Sequence, residues 1–98
     1  MTATPLLAEG ARVRRREDLL TTEVDGELIA MSIERGSCYG LNRIGSRIWA
    51  LIAEPRSIDT ICAALLDQFE VTPETCRREV IELLDALRRE DMIAVEPA

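Results

Sequence analysis

The chain has 98 residues, with 12 Arg, no Lys and no His against 18 Asp plus Glu, for a formal net charge of -6 at pH 7. Without His, a Ser-His-Asp triad, a Cys-His nucleophile and any His-ligated metal site are excluded. The acidic balance disfavours a general nucleic-acid binder, whose affinity depends on Lys and Arg neutralising phosphates. This length leaves room for one domain, and an apolar content of 47% is that of a globular protein rather than a disordered one.

In chain order, residues 1–11 hold Pro5, Gly10 and small side chains without periodicity and read as a flexible tail, which leaves residues 12–95 for the domain. Arg12, Arg14, Arg15 and Arg16 follow as a basic run. It reads as a solvated edge or approach to the first strand, with anchoring of an acidic peptide or a partner enzyme as the functional alternative. Residues 19–24 are rich in strand formers and end at Asp25-Gly26, after which an alternating apolar pattern resumes over 27–33. Asp-Gly between two such runs predicts a two-residue hairpin turn, which pairs Val24 with Glu27 and Thr22 with Ile29. A second turn at 34–36 and a strand over 37–41 complete a three-stranded antiparallel meander.

After Asn42 the apolar period changes from two to 3.6. Asn42 caps a first helix carrying Ile44, Ile48, Leu51 and Ile52 on one face, and Pro55 stops it. Ser57 caps a second helix with Ile58, Ile61, Cys62, Leu65, Leu66 and Phe69 in register. Thr72, with Pro73 at the first helical position, opens a third whose stripe is Cys76, Val80, Leu83, Leu84 and Leu87, widened by Ile81 and Ala86. Residues 91–95 leave the helix and add a short extended segment. The fold class is therefore α+β, a winged helix-turn-helix-like arrangement of a three-stranded antiparallel sheet followed by three helices.

The cysteines Cys38, Cys62 and Cys76 are odd in number and widely spaced, which gives no disulfide framework and no zinc knuckle and fits a reducing cytoplasm. Each reads as a small hydrophobe rather than a reactive thiol. No apolar run reaches the ~18 residues a membrane span requires, and no signal peptide is expected. A winged helix could bind DNA, yet the third helix carries Glu74, Glu79, Glu82, Asp85 and Glu90 among its arginines, and these would face phosphates unfavourably. The same carboxylates read as a charged outer face, with Glu74 paired to Arg78 and Glu82 to Arg78 or Arg89, rather than as acid/base catalysts. Gly36, Gly40 and Gly45 do not form a phosphate loop. No metal or cofactor is expected, and neither is a nucleic acid or membrane partner.

What remains is binding. If strand order follows the hairpins, the strand over 37–41 is an edge whose free N–H and C=O groups can accept an extended peptide. The run Cys38-Tyr39-Gly40-Leu41-Asn42-Arg43-Ile44-Gly45-Ser46-Arg47-Ile48-Trp49-Ala50-Leu51-Ile52 resembles the "Y-x-L-N-x-x-G-x-x-I-W-x-L-I" core of PqqD-like proteins, the recognition elements for precursors of ribosomally made, modified peptides. The likeness extends over roughly residues 13–93.

The resemblance implies a non-catalytic protein whose third strand and third helix grip a precursor's leader and deliver it to a modifying enzyme. The short chain is similar to the stand-alone proteins of lasso-peptide biosynthesis, which hand the leader to a leader peptidase and an ATP-dependent cyclase. The same core serves radical-SAM maturases in the pyrroloquinoline quinone pathway. The site expected on this basis is the edge Ser37, Cys38, Tyr39, Gly40 and Leu41, with Val80, Ile81, Leu84 and Leu87 as apolar wall. Arg35, Arg77 or Arg78 would hold acidic leader residues. The motif residues also have structural readings: Trp49 packs the core, Gly45 permits close approach of helix to sheet, and Asn42 is a cap. Tyr39 and Leu41 share the inner strand face. The alternatives in other classes are a winged-helix DNA-binding regulator and a structural subunit that stabilises an enzyme.

Overall fold

A computed structural model describes residues 10–25 and 27–96. Among these, the elements in order are β1 (Arg12–Arg15), β2 (Leu20–Val24), β3 (Glu27–Ser32), β4 (Ser37–Leu41), α1 (Arg43–Leu51), α2 (Ile58–Gln68), α3 (Pro73–Arg89) and β5 (Ile93–Glu96). Most of the expected tail, and Gly26 of the hairpin turn, lie outside the described residues. Ala11, assigned to that tail, is buried.

The meander forms in the expected register. β2, β3 and β4 are ordered in that sequence, with Val24 opposite Glu27 and Thr22 opposite Ile29. Asp25 takes a positive φ of 52°, as the first loop residue of such a turn must. Gly36 closes the next turn at φ +66°, where a side chain would be strained, and its N–H donates to Ile33 O at 3.3 Å. The alternation of strands puts Leu28, Ala30 and Ser32 of β3 and Tyr39 and Leu41 of β4 on the inner face. Ala30 and Leu41 are fully buried, whereas Cys38 and Gly40 on the other face are exposed.

All three helices start where their caps place them. Asn42 Oδ1 accepts from Gly45 N at 2.8 Å, Ser57 Oγ from Thr60 N at 3.1 Å and Thr72 Oγ1 from Thr75 N at 3.2 Å. The expected apolar stripes form one core, with Ile48 and Trp49 of α1 and Ile52 at its C-cap, Ile61 and Leu65 of α2, and Cys76, Val80, Leu84 and Leu87 of α3; Leu66, expected in the α2 stripe, is instead exposed, because it falls on the flank that no other element covers. Beyond the C-cap Glu90 of α3, Asp91 is left-handed at φ 57°. There Asp91 N–H donates to Arg88 O and Met92 N–H to Leu87 O, a Schellman closure that drives Met92 into the core.

The basic run is where expectation and structure part. Rather than a solvated edge or approach ahead of the first strand, 12–15 is itself a strand, paired antiparallel with β5 in a second, two-stranded sheet that sets Arg12 opposite Glu96. Val13 is its inward residue and is fully buried, and its N–H and C=O also bond the α1–α2 connection at Arg56. The arginines turn their charge inward on the molecule itself: Arg14 Nε meets Glu96 at 3.2 Å, Arg15 Nη1 donates to Trp49 O at 3.1 Å, and Arg16 Nη1 meets Asp91 at 3.3 Å. The helix pairs differ too. Asp85 takes both Arg88 and Arg89, and Arg77 reaches across to Asp59 of α2, in place of the expected pairs of Glu74 and Glu82. No helix among the described residues is long and apolar enough to cross a membrane.

Candidate peptide-binding groove

The two-residue hairpin between β2 and β3 fixes which backbone groups are free. In such a hairpin the closing pair Val24–Glu27 is hydrogen-bonded and the pattern alternates, so β3 turns residues 27, 29 and 31 toward β2 and 28, 30 and 32 toward β4. On β4 the partners of those last three are Leu41, Tyr39 and Ser37. The N–H and C=O groups of Cys38 and Gly40 therefore point away from the sheet, and no strand among the described residues covers them. A Cβ built at Gly40 meets nothing within 4 Å, so access to this edge is open.

Beside the edge lies a groove of about 560 Å³. Tyr39, Gly40 and Leu41 form its strand side, Ile44 and Gly45 its floor, and Glu79, Glu82 and Leu83 of α3 its far wall, with Glu27 at one end. Gly45 permits that floor. Its missing Cβ would stand 3.3 Å from Leu41 Cδ2 and Asn42 Oδ1 and 3.4 Å from Leu83 Cδ2, so a side chain here would require these neighbours to draw back.

The residues expected at the site separate into three groups. Tyr39, Gly40 and Leu41 line the groove, while Ser37 and Cys38 continue the edge beyond it. Val80, Leu84 and Leu87 are 0% exposed, so they support the helix from beneath and present no surface to a ligand; Ile81 is half-buried outside the lining. Arg35 sits in the β3–β4 turn with Nη1 4.0 Å from Asp91 Oδ2, and Arg77 is held 2.7 Å from Asp59, so neither contributes to the groove lining; Arg78 is exposed and also outside it. Sequence reasoning misses Glu79, Glu82 and Leu83, because the first two read as part of a solvated face. Their spacing of i, i+3 and i+4 is a usable signal, since it marks one helical flank adjoining the buried stripe.

A second cleft, about 550 Å³, lies by the opposite edge of the meander, between Thr21 and Glu23 of β2 and Trp49 and Ala50 of α1. The hairpin pattern also leaves Thr21 and Glu23 with outward backbone groups. The meander thus has two open edges, and the one at β4 faces α3.

These features define a class: a small α+β fold in which an open sheet edge faces a helix across a groove. The chain belongs to a family within it. Residues 27–93 match Coenzyme PQQ synthesis protein D (PqqD). Among solved structures, it is similar to TbiB1 in complex with the TbiA(beta) leader peptide, at 25% identity and a TM-score of 0.72 over 82% of this chain and 93% of that one. It also shares the fold of lasso peptide synthetase B1 complexed with the leader peptide, at 18% identity and a TM-score of 0.72 over 84% and 96%. No curated protein matches the chain. The PqqD-like resemblance read from residues 38–52 is confirmed, as is the α+β fold.

Proposed function

We propose that this protein binds the leader of a ribosomally made precursor peptide as an added strand on β4 and carries out no chemistry itself. The observation that carries this reading is the open pair of backbone groups at Cys38 and Gly40 beside a groove walled by α3. Main-chain bonds fix the register of the guest strand, and side chains on its inner face enter the groove between Tyr39 and Leu83. The similar TbiB1 structure, which holds a leader peptide, supports the leader as the guest. The lasso-peptide setting, in which a leader peptidase and an ATP-dependent cyclase receive the bound precursor, is that of the lasso peptide synthetase B1 whose fold this chain shares. Service to a radical-SAM maturase is the second reading, favoured by the PqqD family match itself. The protein acts in the cytoplasm on this reading, as residues 12–95 folded in one domain.

The test exploits the two edges. Gly40 is not in the left-handed region and its N–H points outward, so Gly40→Pro removes a guest contact without breaking a bond to β3. Thr21→Pro does the same to β2. Titration with a fluorescein-labelled leader peptide that the wild-type protein binds, sought among short reading frames neighbouring its gene, is expected to show a loss beyond about tenfold for Gly40→Pro and none for Thr21→Pro, with circular dichroism confirming that both fold. The reverse pattern, or two folded variants with wild-type affinity, refutes binding at β4.

A further inference from the structure

The charge of the groove is opposite to what a positively charged clamp for acidic leader residues would need. Its lining contains three carboxylates, Glu27, Glu79 and Glu82, and no Arg. None of the three is in an ion pair among the described residues, which is equally true of Glu17, Glu74 and Glu90, and what sets this groove apart from the cleft at the β2 edge is that the latter is lined by Arg15 and Arg16. Of the arginines nearby, Arg77 is held by Asp59, Arg88 and Arg89 by Asp85, and Arg35 is at the edge of reach of Asp91, while Arg78 is exposed without an ion pair and Arg43 stacks over Phe69, both outside the lining. Glu79 and Glu82 stand one helical turn apart on the wall of the groove, where Leu83 reaches the floor at Gly45.

From this complementarity we infer that the guest is a cationic peptide, carrying Lys or Arg on the same face of its added strand as the apolar residue that enters beside Leu83 and Ile44. This rests on the β4 reading above and specifies its substrate class. A strand laid on β4 sends alternate side chains to the helix side, about 7 Å apart. One such position meets Glu79 and Glu82, where a guanidinium or ammonium group forms charge-assisted hydrogen bonds in a partly enclosed groove. The next enters the apolar part. An acidic side chain at the first position would meet two carboxylates and be rejected, so the same residues that attract one class of leader exclude another.

A display library of random peptides, roughly 12 residues long to span one added strand with flanks, tests this whatever the sequence of the natural precursor. It is sorted against the wild-type protein, Gly40→Pro, the double variant Glu79→Gln/Glu82→Gln and the double variant Glu79→Lys/Glu82→Lys. The expected result is a set of binders that fail on Gly40→Pro, are enriched in Lys or Arg two positions from an apolar residue, and weaken about tenfold or more on the double Gln variant. The double Lys variant is expected to select Asp or Glu at that position. Binders that depend on Gly40 but show no cationic enrichment, and bind the double Gln variant as tightly, overturn the charge inference and leave the β4 reading standing. Failure to obtain any binder that depends on Gly40 overturns both.

Discussion

Gly45 shows at the level of one residue how this site is made. A glycine in a helix costs about 1 kcal/mol relative to alanine. Here it lets α1, the end of β4 and Leu83 of α3 pack so closely that an added Cβ would stand only 3.3–3.4 Å from Leu41, Asn42 and Leu83. The cysteines are a contrasting case in which chemistry is suppressed. Cys62 and Cys76 are buried, while Cys38 is exposed on β4. Burial, with Cys76 beside it, pushes the Cys62 thiol up to about 11 from an ordinary 9.0. The folded state therefore keeps a proton that the unfolded chain loses above pH 9.0, so this contribution is complete below that pH and disappears as pH rises toward 11. Iodoacetamide near pH 8 is expected to label one cysteine of the native protein, Cys38, and all three in guanidinium. Mass spectrometry showing two or three labels on the native chain would contradict this arrangement.

At the scale of elements, α3 organises its charges around Asp85. That carboxyl accepts from Arg88 and Arg89, which holds it below the usual carboxylate value of 3.8. A lowered value in the folded state means that the stabilisation is present above pH 3.8 and is lost as pH falls through the folded value. Asp85→Asn is expected to melt below the wild type at neutral pH, with the difference shrinking in scans taken progressively below pH 3.8. A difference independent of pH would show that the pairs add nothing. Much at this scale is legible in the sequence. Asp25-Gly26 sets the meander's register, and Asn42, Ser57 and Thr72 mark the helix starts, because hairpin turns and caps are local rules. The helical period locates Val80, Leu84 and Leu87 on one face but does not say whether that face meets solvent, a guest or the core. Only the placement of β4 against α3 shows that the flank of Glu79, Glu82 and Leu83 borders the groove.

The whole molecule is closed by a pairing that no local pattern announces. Strand β1 has a single inward apolar residue, Val13, among arginines, and its partner β5 lies some 80 positions away in the chain, with Arg14 opposite Ala94. Two sheets result, and they divide the labour: the β2–β3–β4 meander carries the groove, and the β1–β5 ribbon seals the core around Val13, Met92 and Ile93. Val13→Ala removes buried methyl groups and is expected to cost about 2 kcal/mol. Thermal melting would read this as a drop of roughly 10 °C for a domain of this size. Peptide affinity at temperatures where the variant is folded is expected to remain that of the wild type, and a parallel loss of both would show that the two sheets are not independent.

The ribbon has one more consequence, which concerns attachment. Because Arg12 stands opposite Glu96, the two ends of the folded unit leave it side by side, about one strand spacing or 5 Å apart, on the sheet that takes no part in the groove. A unit with that exit geometry behaves as a cassette. It could be spliced into a surface loop of an enzyme without stretching the host, turning a separate carrier into a built-in docking arm while its open edge stayed free to receive a guest.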